Sequence, residues 1–158
     1  MLNQQRLGTS DPLPFDTYPG NGRELLPLAK GDNCRHGYGL NHQRITGQTS
    51  CAYCPRDFTA AYSDWLMMAL DHVIPASVCV TMYLDKKWAD SHSNRVLCCS
   101  ACNGFRNRWK PKTPLVCPAT EAEFFDMRDA VFMARREEVR KRAAAERAFF
   151  DSKPWKEK

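Results

Sequence analysis

No run of about 20 apolar residues, the length a membrane span needs, occurs anywhere in this 158-residue chain. The opening residues, Met1-Leu-Asn-Gln-Gln-Arg6, have no apolar stretch behind them. A secretory leader is therefore not expected, and a cytoplasmic location with no membrane partner is the working expectation. Glycine is missing from the whole stretch Pro75 to Asn94, and acid is missing from Arg106 to Lys112. No internal repeat is present beyond two Cys-x-x-Cys pairs. Neither pair sits in a thioredoxin-like strand–helix–strand pattern, which argues against a redox role.

What is present is ordinary in bulk. A hydrophobic fraction of 43% and a charged fraction of 26% suit one globular domain with peripheral structure. The net charge of +5 is less informative than where the charge sits. Arg106, Arg108, Lys110 and Lys112 form a local basic run around Trp109. Such a run attracts polyanions, because phosphate contacts release condensed counterions. Trp109 has either stacking on a base or packing in the core open to it. Arg35, His36, Arg44 and Arg56 offer a weaker second basic wall.

Eight cysteines without a leader point to metal rather than to a disulfide scaffold. Cys51-Ala-Tyr-Cys54 and Cys99-Ser-Ala-Cys102 are two matched pairs, each able to aim two sulfurs at one ion. Zn²⁺ is the ion that suits four thiolates. With all four positions filled by cysteine, such a zinc is structural and has no open site for chemistry. Cys98 adjoins Cys99, but the two-residue spacer to Cys102 favours Cys99. Cys34, Cys79, Cys98 and Cys117 carry no assignment beyond small buried hydrophobes. Residues 55–98 separate the pairs, far more than the roughly 15–20 of a compact zinc finger. The zinc thus staples a larger insert, and function is expected inside it.

Residues 1–30 are rich in Pro, Gly, Asn and Asp and read as an irregular N-terminal arm. Residues 31–50 show no strong periodicity, with Gly31, Gly37, Gly39 and Gly47 as breakers. Tyr62 to Leu70 is an apolar strand or short helix leading into Asp71-His-Val-Ile-Pro75. Arg95 to Cys98 reads as a short strand, and Ser100 caps a helix carrying Asn103, Arg106 and Asn107. Thr120-Glu-Ala-Glu123 is a capping box that opens a long helix. Phe124, Phe125, Val131, Phe132 and Val139 give that helix an apolar stripe, and it turns polar from Arg135 onward. The division expected is 1–30 arm, 31–115 functional domain with the zinc, and 116–158 C-terminal helical extension.

Asp71, His72, Asn94 and Asn103 are the residue types that phosphodiester hydrolysis needs. A carboxylate and an amide oxygen are hard ligands for Mg²⁺ or Mn²⁺, and a histidine can take a proton from water.

The order Cys-x-Tyr-Cys, Leu-Asp-His-Val-Ile-Pro, Asn, Leu-Cys-Cys-x-x-Cys-Asn-x-x-Arg over about residues 51–108 resembles the HNH endonucleases, the His-Me finger or ββα-metal group. The resemblance implies an α+β fold: a small ββα-metal core stapled by a four-cysteine zinc, with the irregular arm and the long C-terminal helix added. It implies His72 as the general base and Asp71 and Asn103 as ligands of a catalytic divalent metal. Asn94 would fix the loop between the strands and so orient His72. Arg106 would contact a phosphate, and Cys51, Cys54, Cys99 and Cys102 would bind structural zinc. The chain departs from the family at His92-Ser-Asn94-Arg95, where many members carry Gly-Gly and then Asn-Leu. His92 is either close enough to reach the site or, by the plainer reading, a loop histidine. The expected activity is metal-dependent hydrolysis of nucleic acid, DNA before RNA, and the long helix has the length to support a homodimer. The alternative is a non-catalytic zinc module binding nucleic acid or protein, which would have no use for Asp71, His72 and Asn103 together.

Overall fold

The computed structural model describes residues 11–31, 34–106 and 109–156. The fold is α+β and rests on one small sheet. Strand β1 (Met68–His72) pairs antiparallel with β2 (Arg95–Cys99), setting Met68 against Cys99, Leu70 against Leu97 and His72 against Arg95. Around the hairpin lie α1 (Gly39–Thr46), α2 (Tyr62–Leu66), α3 (Ala76–Thr81), α4 (Lys86–Ala89), α5 (Ser100–Arg106) and the long α6 (Glu121–Asp151). The apolar run from Tyr62 divides at Met67 between α2 and β1, so its two sequence readings each hold for half of it.

Helix α6 starts as its sequence dictates. The Thr120 hydroxyl accepts the Glu123 amide at 3.2 Å, and the Glu123 carboxylate reaches back to the Ala119 amide at 2.7 Å. The first bond caps an orphan donor, the second holds the residue before the cap, and Glu123 puts acid at an end where the helix dipole favours it. At 1.5 Å per residue its 31 residues span about 46 Å. The buried stripe is Phe124, Phe125, Arg128, Asp129, Val131, Phe132, Arg135, Arg136 and Val139. Three arginines inside it mark α6 as a spine, since a buried guanidinium must spend its donors on protein acceptors.

Arg128 donates to the carbonyls of Ser93 (2.9 Å) and Gly22 (2.8 Å), and lies 3.7 Å from the centroid of the Phe15 ring. Arg136 donates to the Pro12 carbonyl. The N-terminal lead-in is therefore packed against the core from Pro12 onward. Phe15 and Tyr18 are buried, in turns that suit its composition. Gly22 takes a φ of +74°, and a Cβ there would meet Phe15 at 2.5 Å, so only glycine fits.

Two apolar clusters flank α6. One joins Phe15, Tyr18, Tyr53, Phe58, Val73, Val96, Leu97 and Cys98 to Phe132 and Val139. The other joins Ile74, Val78, Met82, Leu84, Trp88 and Trp109 to Phe124, Phe125 and Val131. Trp109 thus packs in the core. Residues 31–50, which lack a periodic pattern, nevertheless carry a π-helical turn at Cys34–Tyr38 and the helix α1. Gly37 and Gly39 lie within this helical stretch, and Gly47 ends it in the left-handed conformation that glycine allows. No helix among the described residues is long and apolar enough to cross a membrane.

Candidate functional site

The two Cys-x-x-Cys pairs meet. Cys51 and Cys54 sit on a loop, Cys99 ends β2 and Cys102 lies on the first turn of α5. Their sulfurs all lie within 4.8 Å of one another, with Cys54 and Cys99 at 3.8 Å. A tetrahedral ion with bonds of about 2.3 Å to sulfur needs sulfur–sulfur edges of about 3.8 Å. The backbone prepares the cluster. The Tyr53 and Cys99 amides point at the Cys51 sulfur (3.4 and 3.3 Å), and the Cys102 amide points at Cys99 (3.5 Å).

Four thiolates this close repel, so they ionise together only around a cation. The thiols are already driven apart in proton affinity. Cys99 is pushed down, first by its hydrogen bond with Cys102, and Cys102 is pushed up, first by its hydrogen bond with Cys51. The donor set and spacing fit a metal ion such as zinc. Cys98 pairs with Ala69 in the sheet and is fully buried among apolar residues, so it lies outside the cluster. Cys79 spends its thiol on the Ile74 carbonyl, and Cys117 is exposed. Cys34 lies outside what is described here of the side chains.

Asp71 and His72 occupy the last two positions of β1 and, as strand neighbours, face opposite ways. Asp71 turns toward α6, where its Oδ2 accepts from Arg135 Nη2 at 2.8 Å. Its carboxyl is raised above the usual range by burial, which outweighs the opposing guanidinium. His72 turns toward Asp90 and Arg95. Its Nε2 lies 3.7 Å from Asp90 Oδ1, too long for a hydrogen bond. That nitrogen is buried without a hydrogen-bond partner among the described residues. Burial and then the Arg95 charge press the His72 pKa down to about 4, so the ring is neutral at neutral pH.

Asn94 lies just before β2 and is completely buried. Its Oδ1 accepts the Ile74 amide at 2.9 Å, and its Nδ2 donates to the carbonyls of Ala89 (3.0 Å) and Ile74 (3.2 Å). The Asn94 carbonyl takes the Val73 amide at 2.8 Å. The backbone that follows His72 is thus tied to the start of β2. Asn103 is half-buried on α5, and its side chain makes no hydrogen bond among the described residues.

Of the basic run, Lys110 and Lys112 are exposed, whereas the Arg106 side chain and Arg108 lie outside the described residues. In the second wall, Arg44 is exposed, Arg56 pairs with Asp64, and Arg35 lies over the Trp65 ring at 5.3 Å. His92 lies in a 3-10 turn of the connection before β2 and is buried. Its Nδ1 meets His42 Nδ1 at 3.0 Å, and His42 Nε2 meets the Tyr18 hydroxyl at 2.9 Å.

Three site neighbours escaped the sequence reading: Asp90, Arg95 and Arg135. Arg95 was open to inference, because pairing the two strands sets it opposite His72. Asp90 and Arg135 carry no local signal, since only the tertiary fold brings them to the hairpin.

No family model, curated protein or solved structure matches this chain.

Proposed function

We propose that the chain is an HNH-type endonuclease, hydrolysing phosphodiester bonds in nucleic acid and in DNA first, with its structure stapled by zinc at Cys51, Cys54, Cys99 and Cys102. The observation that carries the reading is a buried imidazole nitrogen without a hydrogen-bond partner among the described residues, on His72 at the end of a two-stranded hairpin. The cysteine cluster brackets that hairpin and the helix bearing Asn103 follows it. A buried polar atom without a partner calls for one, and a water or a reacting group would supply it.

Asp71 and Asn103 are oxygen donors suited to a hard divalent cation, and Arg135 Nη2 donates to Oδ2 of the Asp71 carboxylate. Such an ion, held by these two residues, would supply charge stabilisation to the phosphorus centre and the departing oxygen. His72 Nε2 takes a proton from water as the water oxygen bonds to phosphorus. The bond from phosphorus to the departing sugar oxygen then breaks, and that oxygen acquires a proton from solvent. Asn94 keeps the His72 backbone in place during the step. Lys110 and Lys112, with Arg106 and Arg108 beside them in sequence, draw the polyanion toward α5.

The test is nicking of supercoiled plasmid by the zinc-loaded protein with and without Mg²⁺ or Mn²⁺. Cleavage that needs the divalent ion and disappears in His72→Ala supports the reading. Tight DNA binding with no cleavage under any divalent ion would make the protein a non-catalytic zinc module instead.

A further inference from the structure

Helix α6 belongs to the sequence that reads as an extension beyond the functional domain, yet one of its residues reaches the centre of the proposed site. Arg135 Nη2 donates to Asp71 Oδ2 at 2.8 Å, while Nη1 donates to the Val73 carbonyl at 2.8 Å and to the His72 carbonyl. Its side chain is 3% exposed. We propose that Arg135 is a positioning residue of the nuclease site. It fixes the orientation of the Asp71 carboxylate, the proposed ligand of a divalent cation, through Oδ2, and it holds the backbone from which the His72 ring projects. This inference rests on the endonuclease reading.

Three observations carry it. First, the clamp touches three consecutive residues, 71–73, and these include the proposed base and a proposed metal ligand. Second, the arginine cannot drift, because Phe132 and Val139, about one turn to either side on α6, are buried in the core. Third, the segment is held from both sides. Arg135 takes the His72 and Val73 carbonyls, and Asn94 takes the Val73 and Ile74 amides. A planar guanidinium can serve a carboxylate and two carbonyls at once; a lysine ammonium, a point donor on a flexible stem, cannot hold that fork. The other buried arginines of α6 provide the contrast. Arg128 and Arg136 bond Gly22, Ser93 and Pro12, none of them in the proposed site.

The experiment uses the full zinc-loaded chain, with Arg135→Lys and Arg135→Gln compared against Arg128→Lys. Mn²⁺ binding is followed by the loss of the free-ion electron paramagnetic resonance signal, and Asp71→Asn identifies the site that matters. Plasmid nicking is resolved into kcat and KM. Both Arg135 variants are expected to retain zinc, to bind Mn²⁺ roughly 10–100-fold more weakly, and to lose kcat by a similar factor while KM for DNA stays nearly unchanged. Arg128→Lys is expected to lower the melting temperature and leave Mn²⁺ affinity alone. Arg135 variants that bind Mn²⁺ as the parent does, or more tightly, overturn the proposal; tighter binding would make Arg135 a competitor of the ion. Loss of zinc and fold in both variants also overturns it, because the residue is then structural. If the parent binds Mn²⁺ no better than Asp71→Asn, the metal reading of Asp71 fails, and the role of Arg135 falls with it.

Discussion

His42 and His92 meet through their Nδ1 atoms at 3.0 Å inside the core, with both residues buried. The neighbours dictate the proton arrangement. The Tyr18 hydroxyl donates to the Arg95 carbonyl at 2.7 Å, so His42 Nε2 donates to Tyr18 or to the Gln48 carbonyl oxygen (3.2 Å). His42 Nδ1 is then the acceptor and His92 Nδ1 the donor, and two neutral rings satisfy the contact. Two charged rings would set donor against donor.

Acid should therefore unfold this protein early. His42 is pushed down to about 3, by burial and then by His92; His92 is pushed down to about 4, by burial and then by Arg95. An unfolded histidine titrates near 6.5. The contribution of the neutral pair is whole above pH 6.5 and drains away as pH falls toward 4. Between pH 7.5 and 5 each ring should take on the order of 1–2 kcal/mol from stability. Denaturant unfolding at the two pH values measures this. His92→Gln, which keeps a donor for His42, should flatten the difference; an unchanged pH slope in that variant would remove the histidines from the explanation.

Removing the metal should remove the fold. The four sulfurs tie a loop, the end of β2 and the start of α5 to one point, and no disulfide among the described residues links them. Freshly purified reduced protein should carry about one zinc per chain. Chelation, or Cys99→Ala, should abolish cooperative melting, whereas Cys98→Ala should keep zinc and lose only a small buried side chain. A zinc-free protein that melts cooperatively at the same temperature would contradict this.

Asn94→Ala should be among the most damaging single changes. It strips partners from the Ile74 amide and the Ala89 carbonyl inside the core. Each buried group left without a partner costs about 1–3 kcal/mol, so a loss of roughly 3 kcal/mol is expected. For a chain of this size that lowers the melting temperature by roughly 6–12 °C. A shift below about 2 °C in a calorimetric scan would mean that the loop holds itself without the amide.

How far the sequence reached follows from which signals are local. The strand at Arg95, the helix near Ser100 and the Thr120 cap could be read because capping and strand propensity act over a few residues, although Ser100 is the first residue of α5 and its hydroxyl meets the Met67 sulfur instead of capping. The cysteine cluster could be read because thiolate spacing encodes a shared ion. Helix α1 could not be read, because it buries His42 and Thr46 rather than an apolar stripe. Arg128, Arg135 and Arg136 were hidden for a related reason. In a polar stretch an arginine looks solvated, and only the carbonyls and the carboxylate waiting for it show otherwise. The packing of Phe15 and Tyr18 was lost to turn-forming neighbours that dominate the local composition.

The histidine at the end of β1 gives the sharpest separation of chemistry from structure. His72 Nε2 is buried without a hydrogen-bond partner among the described residues, so the ring adds little to the fold and its removal should leave stability intact or slightly improved. His72→Ala should retain zinc, melt within about 2 °C of the parent, and bind a DNA duplex with unchanged affinity. A positioned general base is worth about 10²–10⁴ in rate, so kcat should fall by that factor. If His72→Ala instead lost stability and kept its rate, the imidazole would be a packing residue and the base would have to be sought elsewhere. Arg95 offers an internal control, because it pairs with His72 across the sheet yet sits within 3.8 Å of Asp90. Removing that guanidinium with Arg95→Met should relieve the positive charge that depresses the His72 pKa, moving it up from about 4. That change can be read directly by NMR titration of the ring in the parent and the variant; no upward movement would mean that the Arg95 charge does not depress the value.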